Sequence, residues 1–227
     1  MNSFQKDENN EELLLSTHDD QVMMEWEKPY MEASIDLLAP KGHVLEIGFG
    51  LGYSATQILK HNPLSYTVIE CDPIVIESAK QWKQKYTDTD IFIVEGRWQD
   101  ELRSLGIFDE VYFDDFPLHV DKNVSPLEIG ISLSRLNLFV DLCIQNHMRI
   151  GSKICFYLNH NKTPILGSDA TPFIDIQTKT IDIHIPDTCK YRNLSEQKCT
   201  IPIITKIKEY DFQVAQRLAL EQMMSVM

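Results

Sequence analysis

Residues 44–52 read Val44-Leu45-Glu46-Ile47-Gly48-Phe49-Gly50-Leu51-Gly52, an apolar run holding one acid and then glycines at alternate positions. Tyr53-Ser54-Ala55-Thr56-Gln57-Ile58-Leu59-Lys60 follows with helical spacing. A buried strand that runs through a glycine turn into a helix N-terminus brings backbone close to a ligand and aims amide N–H groups at it. Glu70 stands eighteen residues after Gly52, at the end of a second apolar run, Tyr66-Thr67-Val68-Ile69. An acid there suits the two hydroxyls of a ribose. The chemistry on offer is the holding of a nucleoside. A dinucleotide fits less well, because G-x-G-x-x-G needs a third glycine inside the helix, where this chain has Tyr53.

These residues need a scaffold, and the alternation of elements supplies one. His43–Ile47 and Tyr66–Ile69 read as strands, Tyr53–Lys60 as a helix. Asp72 is the expected N-cap of a helix that Pro73 opens and that runs to about Tyr86. Ile91–Val94, Glu110–Phe113 and Lys153–Leu158 are further strands, separated by a short helix over Gln99–Leu105 and a long one from Pro126 to Met148. Gln21–Ala39 reads as helical, with Pro29 in a first turn. Strand–helix alternation predicts an α/β fold: a mostly parallel, twisted sheet with helices on both faces. Phe173–Ile176, Ile181–Ile185 and part of Thr200–Ile207 alternate apolar and polar residues without intervening helices, which predicts an antiparallel finish. Residues 1–18 are expected to be a flexible acidic segment, 19–207 the folded domain, and 208–227 a helical extension with Val214, Leu218 and Met224 on one face.

The chain has 227 residues and a net charge of −13, which disfavours nucleic acid as a partner, since phosphate binding needs clustered Lys and Arg. No run is apolar enough to span a bilayer, so no membrane partner is expected. Five cysteines, with no C-x-x-C pair, argue against a disulfide framework or a zinc site and for a reducing cytoplasm.

Ligands of open parallel sheets bind outside the carboxyl ends of the strands. Glu70, Gly96-Arg97-Trp98 and Asp114-Asp115 all stand at such ends, and so on one rim. The spacing E-x-G-x-G-x-G resembles the first motif of class I S-adenosylmethionine-dependent methyltransferases, whose fold is Rossmann-like. Further segments, M-M-E-W-E-K-P-Y-M, V-I-E-C-D, E-G-R-W-Q-D and Y-F-D-D-F-P, occur in the order seen in guanidino-group N-methyltransferases. The chain resembles guanidinoacetate N-methyltransferase and the fungal-type arginine N-methyltransferases over roughly residues 20–207.

That resemblance implies S-adenosylmethionine as cofactor. Glu46, Gly48, Phe49, Gly50, Leu51, Gly52, Tyr53 and Ser54 would form or support the turn around its methionine end and ribose, and Glu70 would take the ribose hydroxyls. Cys71, Asp72, Trp98 and Gln99 would border the adenine, with Met23 and Met31 closing over the cofactor. Glu27 and Asp114 would hold a guanidinium, with Asp114 also touching the cofactor and accepting the proton lost on methylation. Asn159 and His160 would receive the substrate's carboxylate. No metal is required. The family has D-T-[YF] where this chain has Asp114-Asp115-Phe116, so the extra carboxylate of Asp115 either tightens the hold on a cationic head group or belongs to a different acceptor. The expected acceptor is a small guanidino compound, and the expected assembly a monomer or homodimer. The alternatives are a protein arginine N-methyltransferase and a non-catalytic S-adenosylmethionine-binding protein. The paired acids Glu27 and Asp114 weigh against the last.

Overall fold

A computed structural model describes residues 2–116, 135–158, 170–192 and 197–217. The strands are β1 (Ser3–Lys6), β2 (Glu12–Leu15), β3 (Gln21–Met24), β4 (His43–Ile47), β5 (Ser65–Glu70), β6 (Asp90–Glu95), β7 (Phe108–Phe113), β8 (Met148–Phe156), β9 (Ile174–Asp182) and β10 (Lys198–Lys206). The helices are α1 (Lys28–Leu38), α2 (Tyr53–Lys60), α3 (Pro73–Lys83), α4 (Trp98–Glu101), α5 (135–142) and α6 (212–217). A π-helical turn, Cys143–His147, carries α5 into β8.

Seven strands form one sheet in the order β6-β5-β4-β7-β8-β10-β9. β4 pairs in parallel with β5 and β7, as do β5 with β6 and β7 with β8. β10 lies antiparallel between β8 and β9. The expected architecture is therefore present, and its antiparallel finish is simpler than the sequence suggested: one nine-residue strand, Ile174–Asp182, replaces two short ones. Chain order reverses at β4, whose next strand lies to one side while β7 lies to the other. Such a switch point opens a crevice at the carboxyl ends.

The period of two along each strand divides the core into two layers. Val44, Tyr66, Val68 and Tyr112 pack with Ile35 and Leu38 of α1, Ile58 of α2 and Trp82 of α3. Leu45, Ile47, Val111 and Phe113 pack on the other face with Trp98, Leu102, Phe139 and Val140. Glu46 alternates with Leu45 and Ile47, and is fully buried on the first face, where Ser54 of α2 and Tyr66 of β5 both donate to its carboxyl. It ties strand, turn and helix together.

The N-terminus corrects the expectation of a flexible tail. Residues 3–24 form a three-stranded antiparallel sheet, β1-β2-β3. Its acidic residues make turns: the Asp7 carboxylate accepts the Asn9 and Glu11 amides, and the Ser16 hydroxyl accepts those of His18 and Asp20. Between the turns Leu13, Leu14, Met23 and Met24 are buried in the first core layer. Helix α1 accordingly begins only at Lys28, with Pro29 in its first turn, and Gln21–Glu27 is strand and 3-10 turn. The expected start of the long helix at Pro126 lies outside the described residues, as do Leu218 and Met224. Val214 and Ala215 of α6 pack on the second core layer.

All five cysteines are free. No described helix is long and apolar enough to cross a membrane.

Burial raises the Glu46 carboxyl to about 7, against the hydrogen bonds from Ser54 and Tyr66. The folded chain thus keeps a proton that the unfolded chain gives up near the ordinary value of 4.5. This contribution to stability is full below pH 4.5 and lost as pH rises to 7. Thermal unfolding of Glu46→Gln should show a shallower fall in Tm across that window than the wild-type chain shows.

Candidate active site

The register of the sheet sets the site. Ile47 pairs with Ile69 on one side and Phe113 on the other, so Gly48, Glu70 and Asp114 leave the sheet at one level. Gly48 donates its N–H to the Ile69 carbonyl at 3.0 Å, and Asp114 donates its own to the Ile47 carbonyl at 3.0 Å. Gly48 has φ +83°, and a Cβ there would lie 2.2 Å from the Asp114 carbonyl oxygen. Only glycine lets the two loops pass so closely. At Gly50, φ +53°, a Cβ would meet the Met23 thioether, its Cε at 2.5 Å.

Glu70 binds this turn to the end of β5. Its Oε2 accepts the Phe49 amide at 2.9 Å, and its Oε1 accepts those of Cys71 at 2.7 Å and Asp72 at 2.8 Å. Burial nevertheless pushes its carboxyl above the usual range. The Cys71 thiol is pushed up to about 11, by burial and then by Glu70, and stays neutral. Asp72 caps α3 by accepting the Ile74 and Val75 amides.

A cleft of about 750 Å³, open mouth included, runs along these strand ends. Met23, Gly48, Gly50, Glu70, Cys71, Asp72, Trp98, Gln99, Asp114 and Asp115 line it, ten of the residues expected from sequence. Met23 hangs from the N-terminal sheet, and its sulfur accepts the Leu51 amide at 3.1 Å. Glu46, Phe49, Ser54 and Met31 do not reach the wall, being buried in the first core layer or against it. Leu51, Gly52 and Tyr53 shape the turn from behind, with the Tyr53 hydroxyl donating to Glu12 at 2.6 Å. Asn159 and His160 lie outside the described residues.

Sequence reasoning missed Leu14, Val22 and Arg135 on the wall and gave Arg97, though on the expected rim, no role. The first two come with the unforeseen N-terminal sheet. Arg97 stood in plain view between Gly96 and Trp98, whereas Arg135 comes from a distant helix with no local signal.

Asp115 is placed differently from expectation. It accepts the Trp98 indole N–H at 2.8 Å and pairs with Arg135, closing one end of the cleft. Trp98 is wedged edge-on against Phe113 and Phe139, with centroids at 5.9 and 5.3 Å. The extra carboxylate thus already has a cation and an indole of its own.

Asp114 lines the cleft, and Glu27 lies within electrostatic reach of it. Burial raises the Asp114 carboxyl well above its ordinary range, and Glu27, Glu46, Asp115 and Glu70 add to the effect as like charges. Glu27 sits in the 3-10 turn before α1, only 3 % exposed, where its Oε2 accepts the Met24 amide at 2.8 Å. Burial takes its carboxyl to about 7, against the Met24 amide, the hydroxyls of Tyr157 and Tyr191, and the charge of Arg192. Glu27 is buried beside the cleft rather than on its wall. A cation entering beside Asp114 would relieve this concentration of negative charge.

Residues 3–125 match the protein-family model described as guanidinoacetate N-methyltransferase. The chain is 35 % identical over 133 residues to protein arginine N-methyltransferase 2 of Candida glabrata, a match covering 53 % of this chain and 32 % of that protein. It is 31 % identical over 134 residues to the protein of the same name in Saccharomyces cerevisiae, with the same coverage. The matched segments make up about a third of the length of these curated relatives. Among solved structures, an O-methyltransferase from Bacillus cereus in complex with SAH superposes with a TM-score of 0.54 at 12 % identity, over 85 % of this chain and 84 % of that one. At that identity the likeness is one of fold.

The Asp115 clamp can be tested directly. Asp115→Leu should cost about 1–3 kcal/mol in denaturant unfolding, by leaving the buried Trp98 N–H unpaired, and should shift the tryptophan emission. Asp115→Asn keeps an acceptor for Trp98 and should lose less. Equal losses in the two variants would count against the clamp.

Proposed function

The chain belongs to the guanidinoacetate N-methyltransferase family, and from that premise we propose that it transfers a methyl group from S-adenosylmethionine to a guanidino nitrogen of a small guanidinoacetate- or arginine-like molecule. The observation that carries this reading is the pairing of buried Glu27, in the turn before α1, with half-buried Asp114, at the carboxyl end of β7, the two within electrostatic reach of each other. A planar cation with N–H donors in a fixed fork is the natural ligand for two such carboxylates.

The cleft residues fit the cofactor. The Cβ-free turn at Gly48 and Gly50 leaves room for close backbone approach, and three amides hold Glu70 in place for the ribose hydroxyls. Trp98, Gln99, Cys71 and Asp72 would border the adenine. When bound, S-adenosylmethionine supplies an electrophilic methyl group on a sulfonium.

The protein's part is orientation and proton transfer. A guanidinium is a poor nucleophile because its nitrogen lone pairs are delocalised and it is protonated at neutral pH. Glu27 and Asp114 fix its plane and aim one nitrogen towards the cofactor. Asp114 accepts the proton that this nitrogen gives up. Its raised pKa makes it a stronger base than an ordinary aspartate.

The names of the curated relatives favour a second reading, in which the guanidino group belongs to arginine in a protein. Incubation with radiolabelled S-adenosylmethionine and guanidinoacetate, arginine, agmatine or a protein extract separates the two. Label on one small guanidine supports the first reading. Label confined to protein selects the second, and label on no guanidino group overturns both. Asp114→Asn should lower turnover by about 10²–10⁴-fold, the usual contribution of a general base, with little change in cofactor affinity. Glu70→Ala should act the other way, weakening cofactor binding in a calorimetric titration before turnover at saturation falls.

A further inference from the structure

Glu27 is met by two tyrosines of the same core layer. Tyr157 follows β8, donates its backbone N–H to the Phe113 carbonyl at 3.0 Å, and sets its ring edge-on against Tyr30 at 5.3 Å. Tyr191 lies on the segment leading to β10, with its ring 6.1 Å from that of Trp26. Both hydroxyl oxygens are buried, and among the described residues neither reaches a partner at full hydrogen-bonding geometry. Both are nonetheless close enough to Glu27 to favour its charged form, and Tyr191 also feels Asp114. The indole N–H of Trp26, against Tyr191, is likewise buried without a partner.

Buried polar groups are normally paired, because leaving them unmade costs free energy that water would otherwise supply. Two unpaired phenols at one buried acid, with a second acid within electrostatic reach, mark a place that a polar ligand completes.

We propose that Tyr157 and Tyr191 belong to the acceptor site, each donating its O–H to Glu27 and accepting an N–H of a planar guanidinium held between Glu27 and Asp114. This rests on the guanidine-methylating reading above. A monosubstituted guanidinium carries five N–H donors in one plane, and two bidentate carboxylates take four of them. Phenol oxygens that have spent their proton on Glu27 keep lone pairs for the donors that remain. The rings of Trp26 and Tyr191, and those of Tyr30 and Tyr157, pack in pairs around Glu27, an aromatic setting that favours a flat, weakly hydrated cation. An ammonium, with three tetrahedral donors, matches neither the plane nor the count. The site therefore selects a guanidine over an amine, whether the guanidine is free or part of a peptide.

The same arrangement gives pH a defined effect. The groups that face Glu27 are Arg192, Tyr157, Tyr191, Tyr53, Cys199 and Asp114. Glu27 must be ionised to hold a cation, so kcat/KM rises with pH as it loses its proton. Removing a phenol that favours the ionised form moves this limb to higher pH.

Tyr157→Phe and Tyr191→Phe keep the rings and delete only the hydroxyls. The acceptor assayed is whichever of guanidinoacetate, arginine or an arginine peptide the wild-type protein methylates. Each variant should raise its KM about tenfold, the scale of one hydrogen bond to a charged group, and move the acidic limb of kcat/KM upward. The Kd for S-adenosylhomocysteine by calorimetry should match wild type. Unchanged KM and limb in both variants overturn the inference and leave the proposed function standing. A rise in KM matched by an equal rise in the S-adenosylhomocysteine Kd also overturns it, since that marks a structural lesion. A wild-type protein that methylates no guanidine overturns the proposed function, and this inference with it.

Discussion

Five carboxylates, Glu27, Glu46, Glu70, Asp114 and Asp115, lie close together in a water-poor region, and the surrounding structure answers to that constraint. Every one of them is pushed above its ordinary pKa, with burial as the largest cause. Four have visible partners: two hydroxyls at Glu46, three amides at Glu70, an indole and a guanidinium at Asp115, and the Met24 amide at Glu27. Asp114 has mainly like charges around it. Such concentrations oppose folding and persist where a site uses them.

The same acids do mechanical work. Glu46 fastens the strand before the glycine turn to the helix after it, and Glu70 fastens the turn to the neighbouring strand. Between them the loop that must approach a ligand is rigid, although its glycines give it no side chains to pack. Asp115 performs a third attachment, drawing α5 and Trp98 to one end of the cleft. The N-terminal sheet then covers the turn, and the Met23 sulfur takes up an amide that the loop leaves free.

A seven-stranded sheet with this strand order serves many methyl acceptors, and its likeness to an O-methyltransferase says nothing of which atom is methylated. What distinguishes this chain is local. Glu27 arrives from a turn outside the parallel sheet, Asp114 from the end of β7, and the two tyrosines from the segment after β8 and the one before β10. These groups come from segments remote in sequence from the glycine turn.

The layered α/β fold, the glycine turn and the acid at Glu70 were legible in the residues alone. Each depends on neighbours in sequence: periodicity of apolar residues, φ values that glycine tolerates, an acid at a strand end. The order of strands and the level shared by Gly48, Glu70 and Asp114 agreed with that reading, because parallel pairing leaves few registers that bury both faces. Other features were decided by tertiary structure. Residues 3–24 read as a solvated acidic tail because charge dominates their composition, yet four buried apolar side chains and two side-chain-locked turns make them a sheet. Asp115 read as a ligand residue until Arg135, twenty positions away, took its charge. Met31 and Phe49, expected at the cofactor, lie buried in the first core layer. Tyr191 lies in a Cys189-Lys190-Tyr191 segment similar to the family's closing strands, but nothing local places its hydroxyl or that of Tyr157 beside Glu27. Sequence determines what a segment does with its own backbone; which side chains face one another across fifty or a hundred residues depends on how the layers close.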